Sequence, residues 1–324
     1  MRQHRRRRLV LGGALALAAV SLRAQPQGAP RVAVLLFTTL ASDPNYAAFR
    51  AGLRDLGYAE GRDLTLLERA AEGKPERLRQ LAGELVASRP DVIVALGGDV
   101  APYVRAATAT IPVVAIVSND PVQSGLVASL ARPGANVTGV TLASSDLAAK
   151  RLQMLKEIAP QVSRLGVVWN PDHVDPEYRE MQMVGERLGV RVVSLEVRGP
   201  GDFEAAFRAA SESAVDAIVP VSSRLILAGA PRILKFAAER RIPVASGWGS
   251  WARDGAVLAY GPDINAATRA AAGHVHKILR GANPAELAVE LPTRFELVVN
   301  LRAANALGLA VPNSLLLRAD RVIE

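Results

Sequence analysis

The chain has 324 residues, half of them hydrophobic, so it is long enough for two domains of ordinary size and too apolar to be disordered overall. The absence of cysteine excludes disulfides, zinc–thiolate sites, thiol nucleophiles and a lipid anchor on an N-terminal cysteine. The net charge of +8 is misleading, because six of the 39 basic residues lie in residues 1–24, which hold no acid, and this leaves 33 basic against 31 acidic residues. Nucleic acid is therefore not an expected partner.

The first 24 residues have the pattern of an export signal. Residues 4–8 are mostly arginine, residues 9–20 are apolar, and Ala24 offers a small residue at a cleavage point. The apolar run is too short to span a bilayer comfortably, although an uncleaved anchor is the alternative, and the arginines also resemble a twin-arginine signal. No later stretch reaches about 18 consecutive apolar residues. The sequence thus predicts cleavage of residues 1–24 and a periplasmic location for the remainder.

From residue 31 onward, short apolar runs alternate with amphipathic stretches. The amphipathic stretches at residues 46–56 and 75–87 repeat leucine or phenylalanine at helical spacing. Strands that alternate with helices of this length predict a parallel sheet covered by helices on both faces. The predicted strands of the first half are residues 31–37, 64–67, 92–96 and 111–117.

The same order of elements returns in the second half of the chain. The corresponding segments are residues 164–169 with 31–36, 192–196 with 64–68, 216–219 with 91–94, and 241–244 with 110–113. The predicted fold class is α/β, with two doubly wound parallel-sheet lobes joined by a hinge. Ligands bind outside the carboxyl ends of the strands in such sheets, so the cleft between the lobes is the expected site and hinge closure the expected motion.

Several segments resemble the family of ABC transporter substrate-binding proteins that includes tryptophan- and tyrosine-binding members. The resemblance covers nearly all of the chain after the signal, in order. The matching segments are residues 52–58 (GLRDLGY), 119–127 (NDPVQSGLV), 130–140 (LARPGANVTGV), 295–301 (FELVVNL) and 306–309 (ALGL). The resemblance implies the type I periplasmic-binding-protein fold, in which the chain crosses between the lobes three times.

We expect those crossings near residues 119–145, 253–258 and 284–292. The first lobe would then comprise residues 30–142 and about 256–284. The second lobe would comprise residues 143–255 and 285–324.

Candidate ligand contacts in the first lobe follow its strands. Gly97 and Gly98 would let the backbone approach a ligand, and the N–H groups of the next helix would face an anion, unless the glycines only form a turn. Asp120 would meet an ammonium group and Asn119 either end of an amino acid, unless Asp120 only caps a helix. The candidates are Thr38, Thr39, Gly97, Gly98, Asp99, Asn119 and Asp120.

The second lobe has candidates at the equivalent strand ends. Ser222 and Ser223 correspond to the glycine pair of the first lobe. Trp248 and Trp251 lie close together in a chain with only 4% aromatic residues. Either tryptophan would form an apolar wall for a ligand, unless both pack at the interface between the lobes. The candidates are Asn170, Asp172, Ser222, Ser223, Trp248, Trp251 and Tyr260.

The sequence argues against an enzyme. His274 and His276 are two residues apart and would not share a helix face, and His173 is predicted to be an exposed loop residue. No nucleophile elbow, dinucleotide fingerprint or phosphate-binding loop is present. We therefore expect no catalytic residue, no cofactor and no metal. A two-domain enzyme stays the less favoured alternative, because acids follow several strands: Asp43, Asp99, Asp120 and Asp172.

The sequence and the resemblance together predict a monomeric periplasmic component of an ABC importer. It would capture a small polar solute, such as an amino acid or a small carboxylate, and deliver it to a permease in the inner membrane. A ligand-sensing subunit that docks on a membrane receptor is the alternative that the sequence leaves open.

Overall fold

A computed structural model describes residues 28–41, 43–144, 147–173 and 176–324 of the chain. The predicted signal peptide, residues 1–24, lies outside the described residues. The described residues form twelve strands and twelve α-helices, which are arranged in two lobes. No helix among them is long and apolar enough to cross a membrane.

The first lobe contains a five-stranded parallel sheet. Its strands are β1 (Arg31–Leu36), β2 (Thr65–Ala70), β3 (Val92–Leu96), β4 (Val113–Val117) and β5 (Val137–Thr141). Their order across the sheet is β2-β1-β3-β4-β5. The four strands predicted from the sequence correspond to β1 to β4, with boundaries that differ by a few residues.

Helices cover both faces of this sheet. The helices are α1 (Pro44–Asp55), α2 (Leu78–Ala87), α3 (Ala101–Ala107) and α10 (Ile264–Leu279). Val32, Val34 and Leu36 pack in the cluster of α1 and α10. Ala33 and Leu35 pack in the cluster of α2 and α3. Because side chains alternate along a strand, a continuous apolar run such as β1 is buried on both faces.

The second lobe is built around a mixed sheet. Its strands are β6 (Arg164–Trp169), β7 (Arg191–Glu196), β8 (Ala217–Pro220), β9 (Ala245–Ser246), β10 (Leu258–Pro262), β11 (Phe295–Asn300) and β12 (Arg321–Ile323). Strands pair in the orders β7-β6-β8 and β9-β10-β11-β12, and a bridge between Ile218 and Val244 joins the two groups. β10 and β11 are antiparallel, whereas the other pairs are parallel.

Residues 241–244, which correspond to residues 110–113, lead into a strand as their counterparts do. Arg241 ends a helix in the left-handed conformation, with φ of 57°. Val244 then bridges Ile218, and β9 begins at Ala245, just as β4 begins at Val113.

Eight helices accompany the second sheet in the described part of the chain. Val167 and Val219 face the cluster that includes α4 and α5, and Val168 and Ile218 face the cluster that includes α6, α8 and α9. The helices are α4 (Ala148–Ile158), α5 (Glu177–Arg187), α6 (Phe203–Glu212), α7 (Arg224–Ala228), α8 (Ala230–Arg240), α9 (Gly249–Asp254), α11 (Leu301–Ala306) and α12 (Asn313–Leu316).

The chain passes between the lobes three times. The crossings follow β5, follow β10 and precede β11. The last crossing lies along β5, where Val140 bridges Glu290. Residues 258–262 form β10 of the second sheet, because Leu258 pairs with Ala245. The predicted boundary instead assigns these residues to the first lobe. The full set of lobe boundaries stays a prediction.

The core of the first lobe yields a direct stability test. Leu35 is fully buried in β1, an interior strand of the sheet, so Leu35→Ala should lower the free energy of unfolding by about 2–5 kcal/mol through a lost apolar contact and a cavity. Leu317 is 89% exposed, so Leu317→Ala should change it by less than about 0.5 kcal/mol. Urea unfolding followed by circular dichroism measures both, and equal effects would contradict the assigned core.

Candidate functional site

The carboxyl ends of strands from the two sheets meet each other directly. Side chains after β1, β3 and β4 contact side chains after β6 and β8, and several of these contacts are hydrogen bonds or ion pairs. One hydrophobic cluster also contains residues of both lobes, such as Val117 and Trp248. The structure therefore represents a closed arrangement of the lobes.

A buried ion pair joins Arg224 of the second lobe to Asp43 of the first. The Arg224 side chain is 6% exposed and that of Asp43 is 0% exposed. Asp43 caps helix α1, because its Oδ1 accepts the backbone N–H groups of Asn45 at 3.0 Å and Tyr46 at 3.1 Å. Its Oδ2 accepts the hydroxyl of Thr38 at 2.6 Å. These bonds hold the carboxylate in one orientation toward Arg224.

A second buried pair joins His173 of the second lobe to Asp99 of the first. His173 Nδ1 lies 2.5 Å from Asp99 Oδ1, and His173 Nε2 lies 3.2 Å from Ser118 Oγ. The Ser118 hydroxyl donates its proton to the carbonyl oxygen of Ser222 at 2.5 Å, so toward the ring it acts as an acceptor. Both ring nitrogens thus face acceptors, an arrangement that suits a protonated imidazole at His173.

Asp99 is held ionised by groups of the second lobe. Its pKa lies below the ordinary carboxyl value: burial raises it, but the charge and hydrogen bond of His173 and the backbone N–H groups of Leu225 and Arg224 lower it more. Those N–H groups donate to Asp99 Oδ2 at 3.1 and 2.8 Å. Asp99 is therefore a contact between the lobes rather than a free acid.

Gly97 and Gly98 make room for these crossing side chains. A Cβ on Gly97 would lie 2.4 Å from Cγ of Arg224, and a Cβ on Gly98 would lie 2.5 Å from Cε1 of His173. The Gly97 N–H itself donates to the carbonyl of Ile116. The glycine pair thus provides space for side chains of the other lobe, and an anion site at the N–H groups of the following helix stays a prediction.

A third buried ion pair, Arg151 with Glu177, connects the loop after β8 to the hinge. Both side chains are fully buried. Arg151 donates to the carbonyl of Tyr260 at 2.9 Å and to that of Ser144 at 3.0 Å, and these carbonyls lie next to two crossings between the lobes. Glu177 accepts the backbone N–H of Ser222 at 3.0 Å. The position of Ser222 at the cleft is thereby tied to the hinge.

The strand ends enclose a small cavity, which we call the interlobe cavity. It measures about 20 Å³, room for a water molecule and too little for an amino acid. Arg224 and Trp248 both line this cavity, and among the described residues their buried Nε and Nε1 atoms find no hydrogen-bond partner. Its lining residues are Asn45, Leu96, Gly97, Gly98, Ile116, Ser118, Leu142, Ser222, Ser223, Arg224, Trp248 and Ile264.

Larger grooves lie on the outer surface of the second lobe. One runs between α6 and α8, and the other lies among α8, α9 and α11. Both are lined by residues of the second lobe. The interlobe cavity is lined by residues of both lobes, whereas neither groove is.

The structure brings several of the predicted site residues to the cleft. Asn119 is buried beside Gly98, and its carbonyl accepts the hydroxyl of Thr141 at 2.8 Å. Asn170 shapes the loop before His173, since its carbonyl accepts the His173 N–H. The predicted residues at the cleft or supporting it are Thr38, Gly97, Gly98, Asp99, Asn119, Asn170, Ser222, Ser223 and Trp248.

Other predicted residues have different roles in the structure. Asp120 caps a turn, rather than the helix that the alternative expected, by accepting the N–H groups of the second and third residues after it. Asp172 is exposed and pairs with Arg198, and Thr39 is also exposed. Trp251 is buried in the core with α9, and Tyr260 contributes its carbonyl to Arg151.

Three side chains that cross or line the cleft are not among the ligand contacts predicted from the sequence. His173 was predicted to be exposed, and this is wrong, because its side chain is 1% exposed. Arg224 directly follows Ser222 and Ser223, so its position after β8 could have marked it as a cleft residue. Ser118 directly follows β4 and bridges to the second lobe. Among the residues with described positions, no group of His, Asp and Glu could hold a metal ion.

Asp99 makes closure sensitive to acid. Since its folded-state pKa is lowered, the ionised form stabilises the closed arrangement above the ordinary carboxyl pKa, and this contribution is lost as the pH falls through the lowered value. Energy transfer between labels on Arg79→Cys and Arg208→Cys, one in each lobe of a cysteine-free chain, should report opening at acid pH. Asp99→Asn should flatten this dependence, whereas Asp172→Asn should not.

Substitution of Gly98 tests whether the close packing between the lobes controls closure. Gly98→Ala should weaken closure by about 1–3 kcal/mol, because the new Cβ would overlap His173. Gly199 has open space around it, so Gly199→Ala is the matched control and should leave closure unchanged. The same energy-transfer measurement applies, and equal behaviour of the two variants would rule out this packing.

Known proteins resemble this chain along nearly its whole length. A tyrosine-binding protein of Clostridioides difficile is 24% identical over 279 residues, which are 84% of this chain and 79% of that protein. A conserved domain protein of Vibrio cholerae matches in structure with a TM-score of 0.84 at 30% identity, covering 90% of this chain and 99% of that one.

A domain from Streptococcus pneumoniae in complex with L-Trp also shares the fold. It has a TM-score of 0.82 at 24% identity, covering 91% of this chain and 100% of that one. These neighbours confirm the predicted two-lobed α/β fold.

The family model described as ABC transporter substrate binding protein matches residues 31–323. Proteins of this family bind solutes outside the cytoplasmic membrane, either extracellularly or in the periplasm, and are not enzymes. The chain belongs to the ABC transporter substrate-binding protein family.

Proposed function

We propose that the chain is the solute-binding component of an ABC importer, which captures a small solute between its lobes and presents it to a permease in the cytoplasmic membrane. The observation that carries this proposal is the convergence of buried charged side chains from both lobes beside the interlobe cavity. Charged groups are rarely buried without a partner, and the partners of Asp43 and Asp99 both come from the opposite lobe.

The proposal includes the cellular location. Residues 1–24 would direct export and be removed, and the mature protein would work as a monomer in the periplasm. The basic and apolar pattern of those residues supports this, as does membership of a family that acts outside the cytoplasmic membrane.

The solute would be a free amino acid or a small carboxylate. Arg224 and Trp248 line the cavity, and their buried Nε and Nε1 donors find no partner among the described residues. Such donors suit a carboxylate. The resemblance to a protein bound to L-Trp and to a tyrosine-binding protein supports an amino acid.

Capture would proceed by hinge closure. In an open form Arg224 would leave Asp43 and His173 would leave Asp99, so water would hydrate each charge separately. A solute that contacts both lobes stabilises the closed form alone, and binding therefore shifts the population toward closure. A permease that docks on both lobes in their closed geometry would then select the loaded protein. No covalent step is involved.

A thermal-shift screen of residues 25–324 tests this function. The panel contains the twenty amino acids, small carboxylates, purines and sugars. A ligand at about 100 times its dissociation constant should stabilise the protein by about 2.7 kcal/mol. Gly98→Ala should weaken the response and Gly199→Ala should retain it. A response from no compound, or chemical turnover of a compound, would contradict a solute-binding role.

A further inference from the structure

Four charged side chains are buried together where the lobes meet. Asp43 and Asp99 come from the first lobe, and Arg224 and His173 come from the second. With His173 as imidazolium, the group holds two negative and two positive charges and is neutral. A ligand with no net charge keeps the buried group neutral, whereas a simple carboxylate would add a buried charge without a partner. The charge balance thus favours a zwitterion over an anion.

The two ion pairs differ in how firmly they are held. Asp99 also accepts the backbone N–H groups of Arg224 and Leu225, and His173 is bonded to Ser118. The Arg224 guanidinium, in contrast, has an Nε that finds no partner in the described part of the chain, and Arg224 lines the interlobe cavity. Arg224 is therefore the charged side chain best placed to move when a solute enters.

Asp43 would keep its orientation if Arg224 moved. Its two oxygens accept three hydrogen bonds from the first lobe alone, from Thr38, Asn45 and Tyr46. The cavity is too small for an amino acid while Arg224 reaches Asp43. A solute that separates the pair gains two partners of opposite charge.

Resting on the proposed function, we propose that the Arg224–Asp43 ion pair occupies the position of a free α-amino acid. On binding, the ligand carboxylate pairs with the Arg224 guanidinium and accepts the Trp248 indole N–H, and the ligand ammonium pairs with the Asp43 carboxylate. The ion pair inside the protein is exchanged for two ion pairs with the ligand.

The cavity lining also restricts the ligand side chain. Arg224 is the one charged residue among the described residues that line the cavity. The apolar part of the lining comes from Leu96, Ile116, Leu142 and Ile264. A charged ligand side chain would lose water there without gaining a partner. The expected ligand is an amino acid with an uncharged, largely apolar side chain.

Calorimetric titration with matched compounds tests the exchange. The probes are L-leucine with its deaminated form 4-methylpentanoate and its decarboxylated form 3-methylbutylamine, and L-tryptophan with indole-3-propionate and tryptamine. At least one of the two amino acids should bind, and each of its analogues should bind roughly 10- to 100-fold more weakly, because each loses one charge-assisted contact. L-glutamate and L-lysine should not bind.

Two variants should reverse this preference. Asp43→Asn keeps the helix cap, since Asn caps as well as Asp, but it leaves one uncompensated positive charge and should favour the deaminated analogue over the amino acid. Arg224→Gln leaves one negative charge and should favour the decarboxylated analogue. The exposed pair supplies matched controls, because Asp172→Asn and Arg198→Gln should bind as the wild type does. Melting temperatures and circular dichroism establish that the variants fold.

The outcomes separate this inference from the proposed function. Binding of amino acid and deaminated analogue with equal affinity, or an equal loss of both in Asp43→Asn, would overturn the exchange and leave solute capture intact. Binding of L-glutamate or L-lysine, or of non-amino-acid solutes alone, would also overturn the exchange and leave solute capture intact. A chain that binds no compound of the wider screen would instead remove the proposed function itself.

Discussion

Burial of opposite charges between two lobes is the constraint on which the cleft depends. Asp43 and Asp99 are desolvated in the closed arrangement, and each is compensated by a side chain of the other lobe, Arg224 or His173. Removing such charges from water costs about as much as their pairing returns, so these contacts define the closed geometry more than they drive closure. A protein that must release its cargo benefits from that near balance, because a bound solute can decide whether the lobes close.

The rest of the second lobe maintains this geometry. The Arg151–Glu177 pair is fully buried and bonds to Ser222 at the cleft and to the carbonyls of Ser144 and Tyr260 near the hinge. Ser222 in turn accepts the hydroxyl of Ser118 from the first lobe. The hinge segments, the loop after β8 and the opposite lobe therefore form one hydrogen-bonded network, in which removal of either partner would leave a buried charge.

The sequence predicted which strand ends meet at the cleft, but not the contacts that their residues make across it. Expecting ligand contacts at strand ends led to Gly97, Gly98 and Asp99, which do lie at the cleft. The backbone role of the glycines stays a prediction, and the structure adds that they leave room for Arg224 and His173. Asp120 and Asp172 looked equivalent to Asp99 in sequence, yet one caps a turn and the other is exposed. Local sequence does not reveal which acid finds a partner from the other lobe.

The fold class followed from the sequence by itself, because alternating strands, helices and turn residues are local patterns that act over fewer than about 20 residues. The family followed from the resemblance of particular segments, such as residues 119–127 and 130–140, to its members. The bounds of β1, β3 and β6 agree closely with those patterns. The charge pairs of the cleft were decided only by the tertiary structure. Arg224 and Asp43 are 181 residues apart, and Asp99 bonds to a backbone N–H 125 residues away. Such pairs depend on how two separately folded lobes face each other, and on glycines that leave space for a side chain from the other lobe.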